Sequence, residues 1–228
     1  MTSAKSDVLI LGGGVIGLAC AHYLLDAGRS VTVLDQATVG SGSSHGNCGT
    51  LTPSHATPLA MPGVIGTALR WLLGFAARCN WMDAARATMA KAPLLIRSRA
   101  LIEELVRTQQ LACEFEASGT LYVFRDAAAF ERSQWLPRAL AEIGLSIEAL
   151  DAARVHAMEP ALKPGVVAGY FNPDDAHLRP DRYVEALAAL VRKKGGTIEE
   201  GARIASIERD GSRIGRVRTI REIGRAHV

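Results

Sequence analysis

The apolar and polar positions of this chain change period from one segment to the next, and the changes mark its elements. Val8-Leu9-Ile10-Leu11 is an unbroken apolar run with β-branched residues, the pattern of a parallel strand buried on both faces. From Gly14 to Ala27 the period becomes helical, with Leu18, Ala21, Leu24 and Leu25 at core-facing spacing and Gly28 as the stop. Ser30 to Leu34 is a second strand, ended by Asp35. Gly12, Gly14 and Gly17 give G-x-G-x-x-G directly after the first strand. Gly12 permits the tight turn, Gly14 lets a phosphate approach the backbone, and Gly17 lets the helix pack close to the strand. Asp35 follows Gly17 by 18 residues, where a carboxylate accepts hydrogen bonds from both hydroxyls of an adenosine ribose. Glycine-rich turns are common, but strand, turn, helix, strand and acid in this order indicate a dinucleotide site. A membrane span is the alternative, since no charged side chain lies between Asp7 and Asp26. Three consecutive glycines, His22 and an acid at each end exclude it.

Gln36 to Pro62 is rich in Gly, Ser, Thr, Asn and Pro and reads as a long surface loop. Ser43, Ser44 and Asn47 offer hydroxyl and amide groups to a pyrophosphate or an extended cofactor; a lid is the other reading. His45 and His55 lie in the same loop, where solvated histidines are the commoner case. Gly66–Ala77 is helical and apolar, with Trp71, Leu72 and Phe75. Ala84 to Gln110 is a long helical region punctuated by Pro93, its apolar face carried by Leu94, Leu95, Leu101, Ile102, Leu105 and Val106. Glu114 to Glu116 and Thr120 to Phe124 read as two strands joined at Ser118-Gly119. Asp126 to Ile143 reads as one helix, Asp151 to Met158 as a short one, Val166 to Phe171 as a strand, and Asp181 to Lys194 as an amphipathic helix with Tyr183, Leu187 and Leu190 inward. Strands at 197–200, 203–209 and 213–220 follow, the last two turning at Asp210-Gly211.

Composition changes this picture little. The 228 residues, 48% hydrophobic and 21% charged, suit a globular protein of one large or two small domains. A net charge of +3 is too small to indicate a nucleic-acid partner. Four cysteines without C-x-x-C or metal-ligand spacing suggest a reduced, cytoplasmic setting and no metal. The leader MTSAKS is too short and polar for a secretory signal.

The opening unit, the loop SSHGNCGTLTPSHATPLAMPGV, the strand GTLYVFRD and the segment EPALKPGVVAGYFNPDDAHLRPDRYVEAL together resemble the FAD-dependent D-amino-acid dehydrogenases. These belong to the wider D-amino-acid oxidase, glycine oxidase and sarcosine oxidase superfamily. The glycine motif is shared by most FAD and NAD proteins; Ser44-x-x-Asn47-x-Gly49 followed by Pro53, Pro58 and Met61-Pro62-Gly63 is much more specific. The resemblance implies an α/β protein with a Rossmann-like FAD-binding domain (1–64 and 172–221) and an inserted α+β substrate domain (65–171, partial). It implies FAD as cofactor, with Gly12, Gly14 and Gly17 on its pyrophosphate, Asp35 on its adenosine ribose, and Ser43, Ser44 and Asn47 along the stretch toward the flavin. Ile204 matches the position whose backbone contacts the adenine. The implied reaction oxidises the C–N bond of a D-amino acid to an imine, hydrolysed to a keto acid and ammonia. Amine oxidation of the sarcosine, glycine or D-hydroxyproline type is the rival within the class; a non-catalytic FAD-binding subunit or inactive fragment is the rival outside it.

Family members are considerably longer, so the chain reads as an N-terminal fragment with its C-terminal part missing, and the fragment alone is expected to be inactive. The tail 222–228 resembles a translated adapter and reads as non-native. Some relatives attach FAD through a loop histidine three residues before the closing glycine; that place here is Gly46, with His45 one earlier, so non-covalent FAD is expected. Arg125 and Arg179 are candidate cations, yet neither sits in a carboxylate-clamp motif, and the resemblance puts the clamp in the missing part. No residue is assigned to catalysis. A quinone as electron acceptor would bring peripheral contact with the inner membrane, for which the Trp71 to Phe75 segment is a candidate.

Overall fold

The computed structural model describes residues 6–56, 81–211 and 213–221. The expected helix Gly66–Ala77, the loop positions Pro58 and Met61-Pro62-Gly63, and the tail 222–228 lie outside the described residues. In chain order the elements are β1 (Val8–Leu11), α1 (Val15–Asp26), β2 (Val31–Leu34), β3 (Thr50–Leu51), a 3-10 turn (Pro53–Ala56), α2 (Trp81–Gln109), β4 (Thr120–Phe124), α3 (Ala127–Arg132), α4 (Leu136–Ala141), β5 (Glu148–Asp151), α5 (Ala152–Met158), β6 (Ala168–Asn172), β7 (Ala176–His177), α6 (Pro180–Lys193), β8 (Thr197–Glu199), β9 (Ala202–Asp210) and β10 (Arg213–Arg221). They fall into two compact units, one of Met1–Gly49, Val106–Glu114 and Arg179–Val228, the other of Thr50–Leu105 and Phe115–Leu178. These divisions fall at 49/50, 105/106, 114/115 and 178/179; the sequence reading put domain boundaries at 64/65 and 171/172.

In the first unit β1, β2 and β8 form a parallel sheet in the order β1-β2-β8, with Val8 opposite Val31 and Thr32 opposite Thr197. Parallel neighbours require a crossover, which α1 supplies between β1 and β2. The helix α6 buries Tyr183, Val184, Leu187 and Val191 on one stripe and packs against α1, where Leu18, Ala21 and His22 are buried. Leu24 and Leu25 are only half-buried, and the buried His22 takes the place the pattern gave to a leucine. The ammonium of Lys194 and His22 Nε2 (3.4 Å) both meet the Asp26 carboxylate at this contact. β2 is buried at all four positions, but β1 alternates, with Leu9 and Leu11 39% and 45% exposed. Among the described residues β1 pairs with β2 alone, and where burial on both faces was expected its Val8/Ile10 face is half-covered and its Leu9/Leu11 face exposed.

The second unit carries an antiparallel sheet in the order β4-β6-β5. Leu150, Val155 and Val166 form a buried cluster with Leu121, Leu162 and Phe171 packed around it, and Phe124 meets Phe130 and Tyr170 edge-on. Three local expectations change here. Glu114 to Glu116 is not a strand, because Glu114 sits at φ 51; Glu116 alone pairs, as a single bridge to His177. The single helix expected from Asp126 to Ile143 is two, α3 and α4, because a continuous helix would drive the Pro137 ring into the Ser133 carbonyl. Ser133 closes α3 instead, its hydroxyl donating to Phe130 O at 2.7 Å. The 36–62 loop is not structureless either: Thr50-Leu51 pairs with β7 as β3, followed by the 3-10 turn.

Candidate functional site

The glycine turn of the first unit is built by hydrogen bonds that its sequence makes available. Gly12 adopts φ 110 and donates its amide to Leu34 O at 2.8 Å, which ties the end of β1 to β2. That φ is open to glycine and strained for other residues. The Gly13 amide donates to Asp35 Oδ2 at 2.7 Å, and the Ala37 amide to Asp35 Oδ1 at 2.8 Å. Gly17 stands one helical turn on; a Cβ there would lie 2.0 Å from Gly12 O, so only glycine lets α1 start this close to the strand. The first amides of a helix have no partner inside it. Val15 N at the start of α1 donates to Ser44 Oγ at 3.0 Å, so the serine-rich loop returns over the helix terminus.

Around this turn the loop is pinned. Gly40 N donates to Gly13 O at 3.2 Å and Val39 N to Glu200 Oε1 at 2.7 Å. Asn47 folds the loop on itself, its Nδ2 donating to Ser44 O at 3.2 Å and its Oδ1 accepting from Gly49 N at 2.7 Å. The structure therefore brings Gly12, Gly14, Gly17, Asp35 and Ser44 together, with Asn47 joined through Ser44. Ser43 is exposed on the loop, and Ile204 stands on β9 opposite Thr219, 38% exposed; neither bonds to the turn among the described residues. Sequence reasoning missed Glu200, whose signal was an acid directly after β8, a second strand ending in the same sheet as Asp35.

The candidate cations give no free clamp at Arg179, whose guanidinium pairs with Asp181 at 2.6 Å and Glu114 at 3.5 Å. The hydrogen bond to Asp181 holds the Arg179 pKa above its ordinary value, and the same bond from Arg179 holds the Asp181 carboxyl below the usual range. In the second unit a buried polar pair fixes the segment after β3: Asp175, fully buried, accepts the Ser54 hydroxyl at 2.6 Å and the Ser54 amide at 3.1 Å. His55 is taken at both ring nitrogens, Nδ1 by the Thr52 hydroxyl at 3.2 Å and Nε2 by the Tyr122 hydroxyl. Burial pushes the Tyr122 hydroxyl up, against a lowering hydrogen bond with Ser54. This histidine is a structural link rather than a free base.

A parallel β-α-β unit with a glycine turn at the helix start and an acid ending the second strand is the architecture of dinucleotide-binding α/β proteins. Residues 7–228 match the DAO family model, FAD dependent oxidoreductase, and the chain belongs to that family. It is 31% identical to the D-amino acid dehydrogenase of Paramagnetospirillum magneticum over 91% of this chain and 55% of that one. The corresponding protein of Rhizorhabdus wittichii is 34% identical over 94% and 58%. Among solved structures, glycine oxidase from Bacillus cereus superposes with a TM-score of 0.69 at 22% identity, covering 94% of this chain and 51% of that one. The L-amino acid deaminase of Proteus myxofaciens gives a TM-score of 0.73 at 18% identity over 96% and 43%. The chain spans about half the length of the curated relatives it matches.

The turn fits the family's cofactor, FAD. A Cβ at Gly14 would lie 3.0 Å from Ser44 Oγ, so the missing side chain lets the loop serine reach the helix start, where a phosphate would also be held. Asp35, half-buried at the end of β2, spends one bond on each carboxylate oxygen and keeps further acceptor capacity for hydroxyl donors.

Proposed function

We propose that the full-length protein carrying this chain is an FAD-dependent dehydrogenase of D-amino acids. The observation that carries the reading is the Asp35 carboxylate bonded to the Gly13 amide, which sets a ribose acceptor beside the glycine turn that leads into α1. The family match and the D-amino acid dehydrogenase relatives support the substrate class. Gly12, Gly14 and Gly17 would hold the pyrophosphate at the start of α1, where the aligned peptide dipoles favour an anion. Asp35 would accept the ribose hydroxyls; Ser43, Ser44 and Asn47 would line the stretch beyond, and Ile204 would lie by the adenine. When bound, FAD supplies a two-electron acceptor, so that the C–N bond of the amino acid becomes an imine that water hydrolyses to a keto acid and ammonia.

The 1–64 and 172–221 segments would form the FAD-binding domain and 65–171 part of the substrate domain. The isolated 228 residues turn over no amine on this reading, since a clamp for the substrate carboxylate lies elsewhere in the full-length protein. Electrons would pass to a quinone, with the protein cytoplasmic and peripheral to the inner membrane; among the described residues no helix is long and apolar enough to cross a membrane. Anaerobic mixing of the FAD-loaded full-length protein with a panel of D-amino acids tests the reading. Flavin bleaching by D- but not L-amino acids is expected. NAD binding without FAD, or bleaching by sarcosine or glycine alone, would overturn it.

A further inference from the structure

Gly13, the middle glycine of the turn, is held from two directions. Its amide donates to Asp35 Oδ2 at 2.7 Å, and its carbonyl accepts from Gly40 N at 3.2 Å. A Cβ on Gly13 would lie 3.1 Å from Val39 Cγ2, so the Val39 side chain stands against the turn. Val39 and Gly40 therefore form a strap across the backbone that leads into α1. Gly40 also meets α6: at φ 77, a Cβ there would lie 2.8 Å from Val184 Cγ1.

The far anchor of the strap is Glu200, 161 positions along the chain, whose Oε1 accepts from Val39 N at 2.7 Å. The backbone on either side of Glu200 is fixed to the same loop. Glu199 O accepts from Asp35 N at 2.9 Å, Gly201 N donates to Ala37 O at 3.2 Å, and Ala202 N donates to Asp35 O at 2.8 Å. The other carboxylate oxygen of Glu200 faces Arg192 Nη2 on α6 at 3.9 Å, a long and exposed pair of little worth. The bond to Val39, an ionised acceptor on a backbone amide, is the stronger of the two. A carboxylate offers no attraction to a diphosphate, so Glu200 can serve an anionic cofactor only through the strap.

We propose that Glu200 is a positioning residue for the cofactor: by holding Val39 it keeps Gly40 on the Gly13 carbonyl and the glycine turn in its binding shape. Without that bond the strap gains freedom that binding must remove, which costs affinity. The inference rests on the FAD reading of the turn and concerns the adenosine diphosphate half of that cofactor.

Titration of the cofactor-free full-length protein with FAD and with ADP tests it. Glu200→Ala is expected to weaken both ligands by the same factor, about two- to ten-fold, the range for one net hydrogen bond. Glu200→Gln keeps an oxygen for the Val39 amide and should restore both affinities to within about two-fold of wild type. Arg192→Gln removes the ion pair, keeps the acceptor and should change neither. Hydrogen exchange of the cofactor-free protein reads the strap without any ligand. The Val39 and Gly40 amides should lose protection in Glu200→Ala and keep it in Glu200→Gln. The thermal midpoint of the cofactor-free protein should move little in either variant, because Glu200 is exposed; a merely structural residue would lower it instead. Wild-type affinity or unchanged exchange in Glu200→Ala, Glu200→Gln as weak as Glu200→Ala, or a loss confined to FAD would each overturn the role of Glu200. ADP binding without FAD by the wild type would sink the flavin reading alone, since the Glu200 comparison still runs on ADP. Binding of neither would overturn both.

Discussion

Asp35 accepts the Gly13 amide at 2.7 Å, so the acid that ends β2 is fastened to the turn that follows β1. The same carboxylate takes the Ala37 amide, and its backbone reaches Glu199 O and Ala202 N in the strands beyond. A group so placed is oriented before any ligand arrives, which lowers the ordering cost of binding. Asp35→Ala should therefore weaken FAD binding by about 1–3 kcal/mol, the range for leaving polar partners unpaired. Flavin fluorescence titration checks it, with Asp35→Asn alongside, since the amide keeps one acceptor for the turn. An unchanged affinity in Asp35→Ala would mean that the ribose is held elsewhere.

Gly17 makes a sharper demand on the backbone than the other glycines of the motif. Its Cβ would lie 2.0 Å from Gly12 O and 3.2 Å from the Ile10 side chain, and the first of these is backbone with nowhere to go. Gly17→Ala must push α1 off the strand, a cost of about 1–3 kcal/mol or more by analogy with overpacked cores. The thermal midpoint and the FAD affinity should fall together. Ile16→Ala, at a side chain 79% exposed, is the control and should leave the midpoint unchanged. A Gly17→Ala protein of wild-type stability would show that the close approach of strand and helix is not needed.

What the sequence makes legible here is what depends on neighbours in the chain. Strand, turn, α1 and Asp35 follow from a motif of contiguous residues, and the stripe of α6 from period alone. Burial of β1 was not legible, since an apolar run does not say which faces of the sheet another layer covers. Nor was β3, because its partner β7 and the Ser54–Asp175 pair lie about 120 residues away along the chain. The left-handed Glu114 carries no signal in its residue type, whereas the break between α3 and α4 was available in Pro137. At the site, Asp35 and the glycines were readable, but the bond from Val15 to Ser44 depends on the path of the loop between them.

Tyr183 is buried on α6, and burial, with Cys113 and Tyr23 adding to it, pushes its hydroxyl from the ordinary value near 10 up to about 12. An acid whose pKa is raised by folding stays protonated longer in the folded state. Its contribution is present below the unfolded value and is lost as pH rises from about 10 toward 12. The loss is at most about 3 kcal/mol, from two units of difference. Urea denaturation at pH 8 and pH 11 should show this decline in the wild type and a smaller one in Tyr183→Phe. Tyr122 shifts in the same direction through burial, so some decline should survive in the variant. A variant that loses as much stability as the wild type would remove Tyr183 from the account.

Ser54 and Asp175 test whether the turn after β3 is held by polar bonds or by packing. Asp175 is fully buried, and both carboxylate oxygens are used on Ser54, one on its hydroxyl and one on its amide. The Asp175 carbonyl also accepts the Gly119 amide at 3.1 Å, so the same residue anchors the approach to β4. Ser54→Ala removes the hydroxyl and keeps the amide, leaving one buried oxygen without its donor. That should cost about 1–3 kcal/mol, because the group loses its bond without regaining water. Asp175→Ala removes the acceptor and opens a space in the turn, and should cost more than Ser54→Ala. If the two residues act through each other, the double variant should be little worse than Asp175→Ala alone, as contacting residues are non-additive. Urea midpoints of the three variants give the coupling directly. Strict additivity would mean that Ser54 and Asp175 stabilise the second unit through separate contacts, and that β3 is held there by its pairing with β7.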